Sequence, residues 1–145
     1  MPAYALDLDA VIADTRPLWN DWLTDVKRRV RVDLADLPED RTAAAPLLDE
    51  ALGDWRPLLE RCAADRAPVY VRTRADTAAR LRALHAAGAR LGAFTDAPRE
   101  LADVALAHAG AARRVDVVGT LDEVLAALGP DAVVVRSREE LANLG

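Results

Sequence analysis

Only one cysteine, Cys62, and one lysine, Lys27, occur in this 145-residue chain. A single cysteine excludes an internal disulfide, and Cys62 sits in an apolar helical pattern where it serves as a small hydrophobe. Alanine and arginine fill positions where lysine or isoleucine would otherwise stand, which reads as genomic base composition. Long apolar runs are missing, as is a basic segment leading into one, so the expectation is a soluble cytoplasmic protein with no membrane partner. The two histidines, His85 and His108, each stand alone on a helical segment, so neither has ligand partners at metal spacing. An excess of positive charge is lacking too: the net charge is −5 and the pI near 5.0, which argues against a nucleic-acid partner. What is present, 52% hydrophobic and 30% charged residues, is a globular balance, and the length suits one domain with a small elaboration. There is no internal repeat and no low-complexity tract.

Along the chain, Ala3 to Leu8 reads as a short buried strand that runs straight into Asp9. A helix follows, capped by Asp14 or Thr15, with Pro17 in its first turn and Trp19, Trp22, Leu23, Val26 and Val30 at helical spacing. Asp33 to Arg41 is polar, contains Pro38 and reads as a loop. Thr42 opens a further helix that Gly53 ends, and Asp54 is placed to cap another carrying Trp55, Leu58, Leu59 and Cys62. Residues 15 to 67 are thus expected to be mainly helical and hold all three tryptophans; aromatics at this spacing read as core in preference to a pocket lining.

Beyond that stretch, strands and short helices alternate. Thr73 with Asp76 and Thr120 with Glu123 form expected capping boxes, and Ser137 with Glu140 caps a last helix. Strands are expected over Arg90 to Thr95, Val115 to Val118 and Ala132 to Val135. Such alternation implies an α/β fold, a three-layer Rossmann-like parallel sheet of four to five strands. Ligands of these sheets bind outside the carboxyl ends of the strands. That rule gathers Asp7 and Asp9, Thr95 and Asp96, Gly119 and Thr120, and Arg136 and Ser137 along one rim.

Asp7-Leu8-Asp9 carries the most pointed chemistry. Two carboxylates at a strand end crowd each other and invite a cation or a proton between them. One such group can attack phosphorus while its neighbour moves protons; equally, the acids can simply cap the loop.

The run from Tyr4 to Thr15, an apolar strand followed by Asp-x-Asp, resembles the first motif of the haloacid dehalogenase-like (HAD) phosphatases. Leu91 to Glu100, a strand ending in Thr95-Asp96, resembles the second motif, and the helix and turn before it, with Gly88, are also similar. The resemblance implies a HAD-like core over residues 1–14 and 68–145, with residues 15–67 as a small helical cap inserted after the first strand. It implies a phosphatase of a small phosphorylated metabolite. Asp7 would form an aspartyl-phosphate, Asp9 would protonate the leaving oxygen and then activate water, and Thr95 would hold a phosphoryl oxygen. Asp96 and Arg136 would meet the substrate, and Mg²⁺ would be held by Asp7, the backbone carbonyl of Asp9 and an acid of the last motif.

Several positions depart from the family pattern. The third motif's lysine has no counterpart, since Lys27 lies in the first insert helix and Arg113 and Arg114 precede their strand. Ser137 stands where a metal-binding acid belongs, Ala10 replaces a glycine, and no fifth strand follows. Losing such groups costs orders of magnitude in rate, so the rival to the phosphatase is a binding or regulatory protein that keeps the fold without turnover. A receiver domain, which also gathers acids at strand ends, is disfavoured by the large helical insert and the missing lysine. Arg136 adds a specific expectation, that its guanidinium pairs with Asp7 and replaces the metal; the alternative is a solvated arginine.

Overall fold

The structure is a computed structural model that describes residues 1–31 and 33–144. Its centre is a parallel sheet of four strands: β1 (Ala3–Asp7), β2 (Arg90–Phe94), β3 (Val117–Gly119) and β4 (Val133–Val135), in the order β3-β2-β1-β4. Among the described residues seven α-helices surround it: α1 (Arg16–Arg29), α2 (Arg41–Leu52), α3 (Arg56–Tyr70), α4 (Ala75–Ala86), α5 (Arg99–His108), α6 (Leu121–Leu128) and α7 (Arg138–Ala142). The expected parallel α/β architecture is therefore present, with four strands. Among the described residues no helix is long and apolar enough to cross a membrane.

Alternation along the strands divides the core between the two sheet faces. Leu6, Leu91, Ala93 and Val135 face a large apolar cluster that also takes in Trp19, Trp22, Trp55, Leu59 and Leu101. Ala5, Phe94, Val124 and Leu128 form a smaller cluster beneath α6. The tryptophans pack on one another with ring centroids 5.4 to 6.1 Å apart and are buried, so the core reading of them stands. Trp55 Nε1 donates to Asp49 at 2.8 Å, which satisfies its one polar atom. Arg66 of α3 reaches across to Asp21 and Asp25 of α1 and ties those two helices together.

Local starts and stops follow the sequence in part. Thr120 and Glu123 form the full capping box of α6, and the Ser137 hydroxyl accepts from Glu140 N at the start of α7. The box expected at Thr73 and Asp76 does not form. Helix α4 begins only at Ala75, after Arg74, so Thr73 lies outside capping register and Asp76 accepts from Thr77 N instead. Asp54 does not cap α3 either. Trp55 takes the position without a side-chain cap hydrogen bond, and Pro57 removes one of the two amides that an Asp54 cap could have used. Arg41, expected to close a loop, is the first residue of α2, because Asp40 accepts from Thr42 N and starts the helix one residue earlier.

The link from β1 into the insert also differs from expectation. Leu8–Ile12 makes a single π-helical turn, closed by Ala13 N donating to Leu8 O at 2.8 Å. Asp7 is thus the last residue of β1, while Asp9 projects from a turn, and the two carboxylates do not stand on one strand face.

Gly92 fixes how closely α6 can approach. A Cβ there would lie 2.6 Å from Val124 Cγ1, 2.9 Å from Val117 Cγ1 and 3.0 Å from Leu128 Cδ1. Gly92→Ala is therefore expected to destabilise the fold by about 1–3 kcal/mol through overpacking. Urea unfolding checks this; an unchanged midpoint would mean that α6 shifts freely on the sheet.

Candidate functional site

Every residue pair assigned to the rim lies at or just beyond the carboxyl end of a strand, as the topology requires. The rim opens into a cleft of about 940 Å³. Asp7, Asp9, Phe94, Thr95 and Asp96 line its sheet side. Arg16, Asn20, Leu23 and Lys27, spaced along one face of α1, line another wall, and residues 34–35 and 37–42 close it from above. Lys27, which sequence position places in the insert, thus shares a cleft with the acid pair.

Asp7 and Asp9 have unlike surroundings. Asp7 Oδ1 accepts from the backbone N–H groups of Asp9 (3.1 Å) and Ala10 (3.3 Å), leaving Oδ2 without a protein donor among the described residues. Burial pushes the Asp7 carboxyl above the ordinary aspartate range; the Asp9 charge adds to this, while the Ala10 and Asp9 amides and the more distant Arg136 charge oppose it. Asp9 is fully engaged. Its Oδ1 accepts from Thr15 N (2.8 Å) and Thr15 Oγ1 (2.6 Å), and its Oδ2 from Thr95 Oγ1 (2.7 Å) and Arg41 Nη2 (3.1 Å).

The group that organises these contacts is Arg41, whose side chain is only 3% exposed. Nη1 donates to Thr15 Oγ1 at 2.7 Å, Nη2 to Asp9 Oδ2 and to Asp96 Oδ1 (2.8 Å), and Nε to Asp96 Oδ1 at 3.1 Å. The Arg41 backbone N–H completes the set, donating to Asp96 Oδ2 at 2.9 Å. Asp96 therefore serves both the N-terminus of α2 and the cation on its first residue. Burial tends to raise the Asp96 carboxyl, but the hydrogen bonds and charge of Arg41 outweigh it and hold it below its ordinary value of 3.8.

Sequence reasoning missed Arg41 and saw Thr15 only as a helix cap. One signal was available. A cation in the first turn of a helix opposes the helix dipole, so an arginine there needs a carboxylate from elsewhere. Which carboxylate depends on Asp96 lying 55 residues away, and that distance in sequence hides the pairing.

Arg136 does not form the expected pair with Asp7. No hydrogen bond or ion pair joins them among the described residues; the exposed guanidinium lies over the Phe94 ring, 5.6 Å from its centroid, and its backbone N–H donates to Glu140 Oε2. The reason is direction: the chain turns into α7 directly after β4, and Arg136 leans on the Phe94 side of the sheet. Thr95 Oγ1 gives its proton to Asp9 and accepts from Ala97 N at 3.1 Å, so its one proton is already engaged.

The donors present fit Mg²⁺ only in part. That ion requires octahedral oxygen coordination, with carboxylates free to bind it. Both Asp9 oxygens and both Asp96 oxygens already accept from protein donors, and no cluster of three or more acidic, histidine or cysteine side chains converges among the described residues. Asp7 Oδ2 remains, and with the Asp9 backbone carbonyl it would be the pair to hold the ion, completed by water; the acid that the family pattern places after the last strand is replaced by Ser137.

The lowered Asp96 carboxyl has a consequence for stability. A carboxylate with a depressed folded-state pKa contributes stability above its unfolded pKa and loses it as pH falls through the folded value. Asp96→Asn is therefore expected to destabilise the protein at pH 7 by about 1–2 kcal/mol, a figure kept low because the side chain is 38% exposed. The deficit should shrink as the pH drops below about 4, where the wild-type carboxylate also protonates. Urea unfolding of both proteins at pH 7, 5 and 3 measures it; a deficit independent of pH would refute the assignment.

No protein-family model matches the chain, and no curated protein sequence matches it. Among solved structures, it is similar to that of a HAD phosphatase from Thermococcus onnurineus, with a TM-score of 0.58 and 24% sequence identity, over 94% of this chain and 77% of that one. At that identity the likeness is one of fold. The chain accordingly has a HAD-like α/β fold, with Asp7 and Thr95 at the ends of its two central strands.

Proposed function

We propose that the chain is a HAD-type phosphohydrolase of a small phosphorylated molecule, with its reaction centred on Asp7. The observation that carries this reading is the state of the Asp7 carboxylate. One oxygen is fixed by two backbone amides and the other has no donor among the described residues, at the end of a strand and in the wall of a cleft.

In this reading Asp7 Oδ2 attacks phosphorus, the bond from phosphorus to the ester oxygen breaks, and that oxygen takes a proton from Asp9. A water molecule then attacks the aspartyl-phosphate, returns a proton to Asp9 and releases inorganic phosphate and the Asp7 carboxylate. Thr95 orients Asp9 and is near enough to meet a phosphoryl oxygen once that bond is exchanged. Arg16 and Lys27 supply positive charge on the opposite wall, and Arg136 does so at the rim. Asp96 acts on the substrate through its hold on Arg41. The insert of α1, α2 and α3 forms the cap of the site, and its open cleft suits a small substrate.

A second reading, that the protein binds such a ligand without turnover, is favoured by one specific observation. Asp9 accepts four hydrogen bonds and can take part in proton transfer only if one of them opens.

Hydrolysis of a panel of phosphomonoesters by wild type and Asp7→Asn separates the two. The phosphohydrolase reading expects release of inorganic phosphate that falls to background in Asp7→Asn. Binding of a phosphomonoester to wild type with no release of phosphate would establish the second reading in its place.

A further inference from the structure

We propose that the cleft selects a phosphomonoester whose leaving group carries a second anionic group, received by Lys27 at the far end of α1. The inference rests on the reading of the cleft as a phosphate site and adds what the rest of the ligand must be. Arg16, Asn20, Leu23 and Lys27 of α1 line the cleft at the three- and four-residue spacing of one helix face. Arg16 and Lys27 stand about 16 Å apart along the helix axis, at a rise of about 1.5 Å per residue. The Arg16 end is the one that feels the charges of Asp7 and Asp9. A phosphate group beside Asp7 therefore occupies one end only of a cleft of about 940 Å³, a volume that suits a much larger ligand.

The two cations differ in what they already hold. Arg16 Nε and Nη2 donate to the Asp14 carboxylate at 2.8 and 2.9 Å. The Lys27 ammonium has no ion pair and no hydrogen bond among the described residues. Helix α1 ends in Lys27, Arg28 and Arg29, charges that suit the negative end of its dipole. Of these three only Lys27 lines the cleft, so the dipole does not explain its direction. Between the two cations the lining is apolar, with Leu23 on α1 and Leu34 and Leu37 in the loop above. The loop acids Glu39 and Asp40 precede Arg41, whose guanidinium reaches Thr15 just before α1, so they stand towards the Arg16 end. The complementary ligand is elongated: a phosphate at Asp7, an apolar stretch, then a carboxylate or second phosphate at Lys27. Lys27 sets specificity and touches no reacting atom.

The test uses phosphonates, whose carbon–phosphorus bond survives a phosphohydrolase, so binding is read whether or not the protein turns over. Three series of graded chain length end in a methyl, a carboxylate or a second phosphonate. Each is titrated by calorimetry into full-length wild type, Lys27→Met and Lys27→Arg with Mg²⁺ present. At a matching length the carboxylate end should bind wild type about fivefold more tightly than the methyl end, the gain of one solvent-exposed ion pair. The second-phosphonate series shows whether a dianion is preferred to a carboxylate. The preference over the methyl end should shrink with added salt, disappear in Lys27→Met and be kept by Lys27→Arg. Equal affinities for methyl and anionic ends in wild type, or a preference that persists in Lys27→Met, would overturn the proposal and leave the phosphate reading standing. Binding of no series by wild type would sink that reading and the proposal with it. Lys27 is exposed, so both variants are expected to keep the Tm of wild type.

Discussion

A buried guanidinium between two carboxylates is the constraint from which the rest of this site follows. Taking the Arg41 charge out of water costs several kcal/mol, and only a full set of partners offsets that cost. The partners come from separate parts of the chain: Asp9 on the π turn after β1, Thr15 before α1, and Asp96 just past β2. If any one moved, a desolvated charge would lose its counterpart. The docking of α2 on the sheet, the trajectory from β1 into α1 and the loop after β2 are therefore coupled, although no covalent link shorter than dozens of residues joins Arg41 to Asp96.

The same constraint makes two similar acids dissimilar. Asp9 is drawn back towards Arg41, Thr15 and Thr95 and retains no unused oxygen. Asp7, two residues earlier, stays in strand geometry, caps the π turn with one oxygen and keeps the other. A regular strand through Leu8 and Asp9 would have set both carboxylates side by side. The π turn separates them at the point where Leu8, Val11 and Ile12 must all be buried, so apolar packing and the division of roles between the acids have a common origin.

Much of the architecture was legible in the sequence because it is written in local patterns. The parallel sheet follows from strands alternating with amphipathic helices, and the caps at Thr120 and Ser137 follow from side chains three residues from their partners. Failures came where a helix began at another residue than the local pattern marked, as at Arg56 and Ala75. The site was legible only as far as strand ends reveal it. Asp7, Asp9, Thr95 and Asp96 were found because topology brings them to one rim, whereas Arg41 looked like a loop residue. Its partners lie 26, 32 and 55 positions away, and nothing within a helical turn of Arg41 announces them. Arg136 shows the converse: a correct position on the rim did not determine where its guanidinium would point.

Where the positive charge comes from also matters for how such a site behaves. A lysine on the sheet core, as in the motif this chain lacks, would be rigid with respect to the nucleophile. Here Arg41 rides on α2 and Arg16 and Lys27 ride on α1, all in the helical insert, while the Arg136 charge reaches Asp7 from the end of β4. The charge on this wall of the cleft then depends on how the insert docks. The tryptophan cluster and Arg66 join α1 to α3, so a change in the seating of this pair would move Arg16 and Lys27 together. Asp96 is the side chain that holds the seating of α2, since its two oxygens grip both the backbone and the charge of the first residue of α2. The acid after β2 thus governs the electrostatics of the acid after β1 through a helix that neither strand contains.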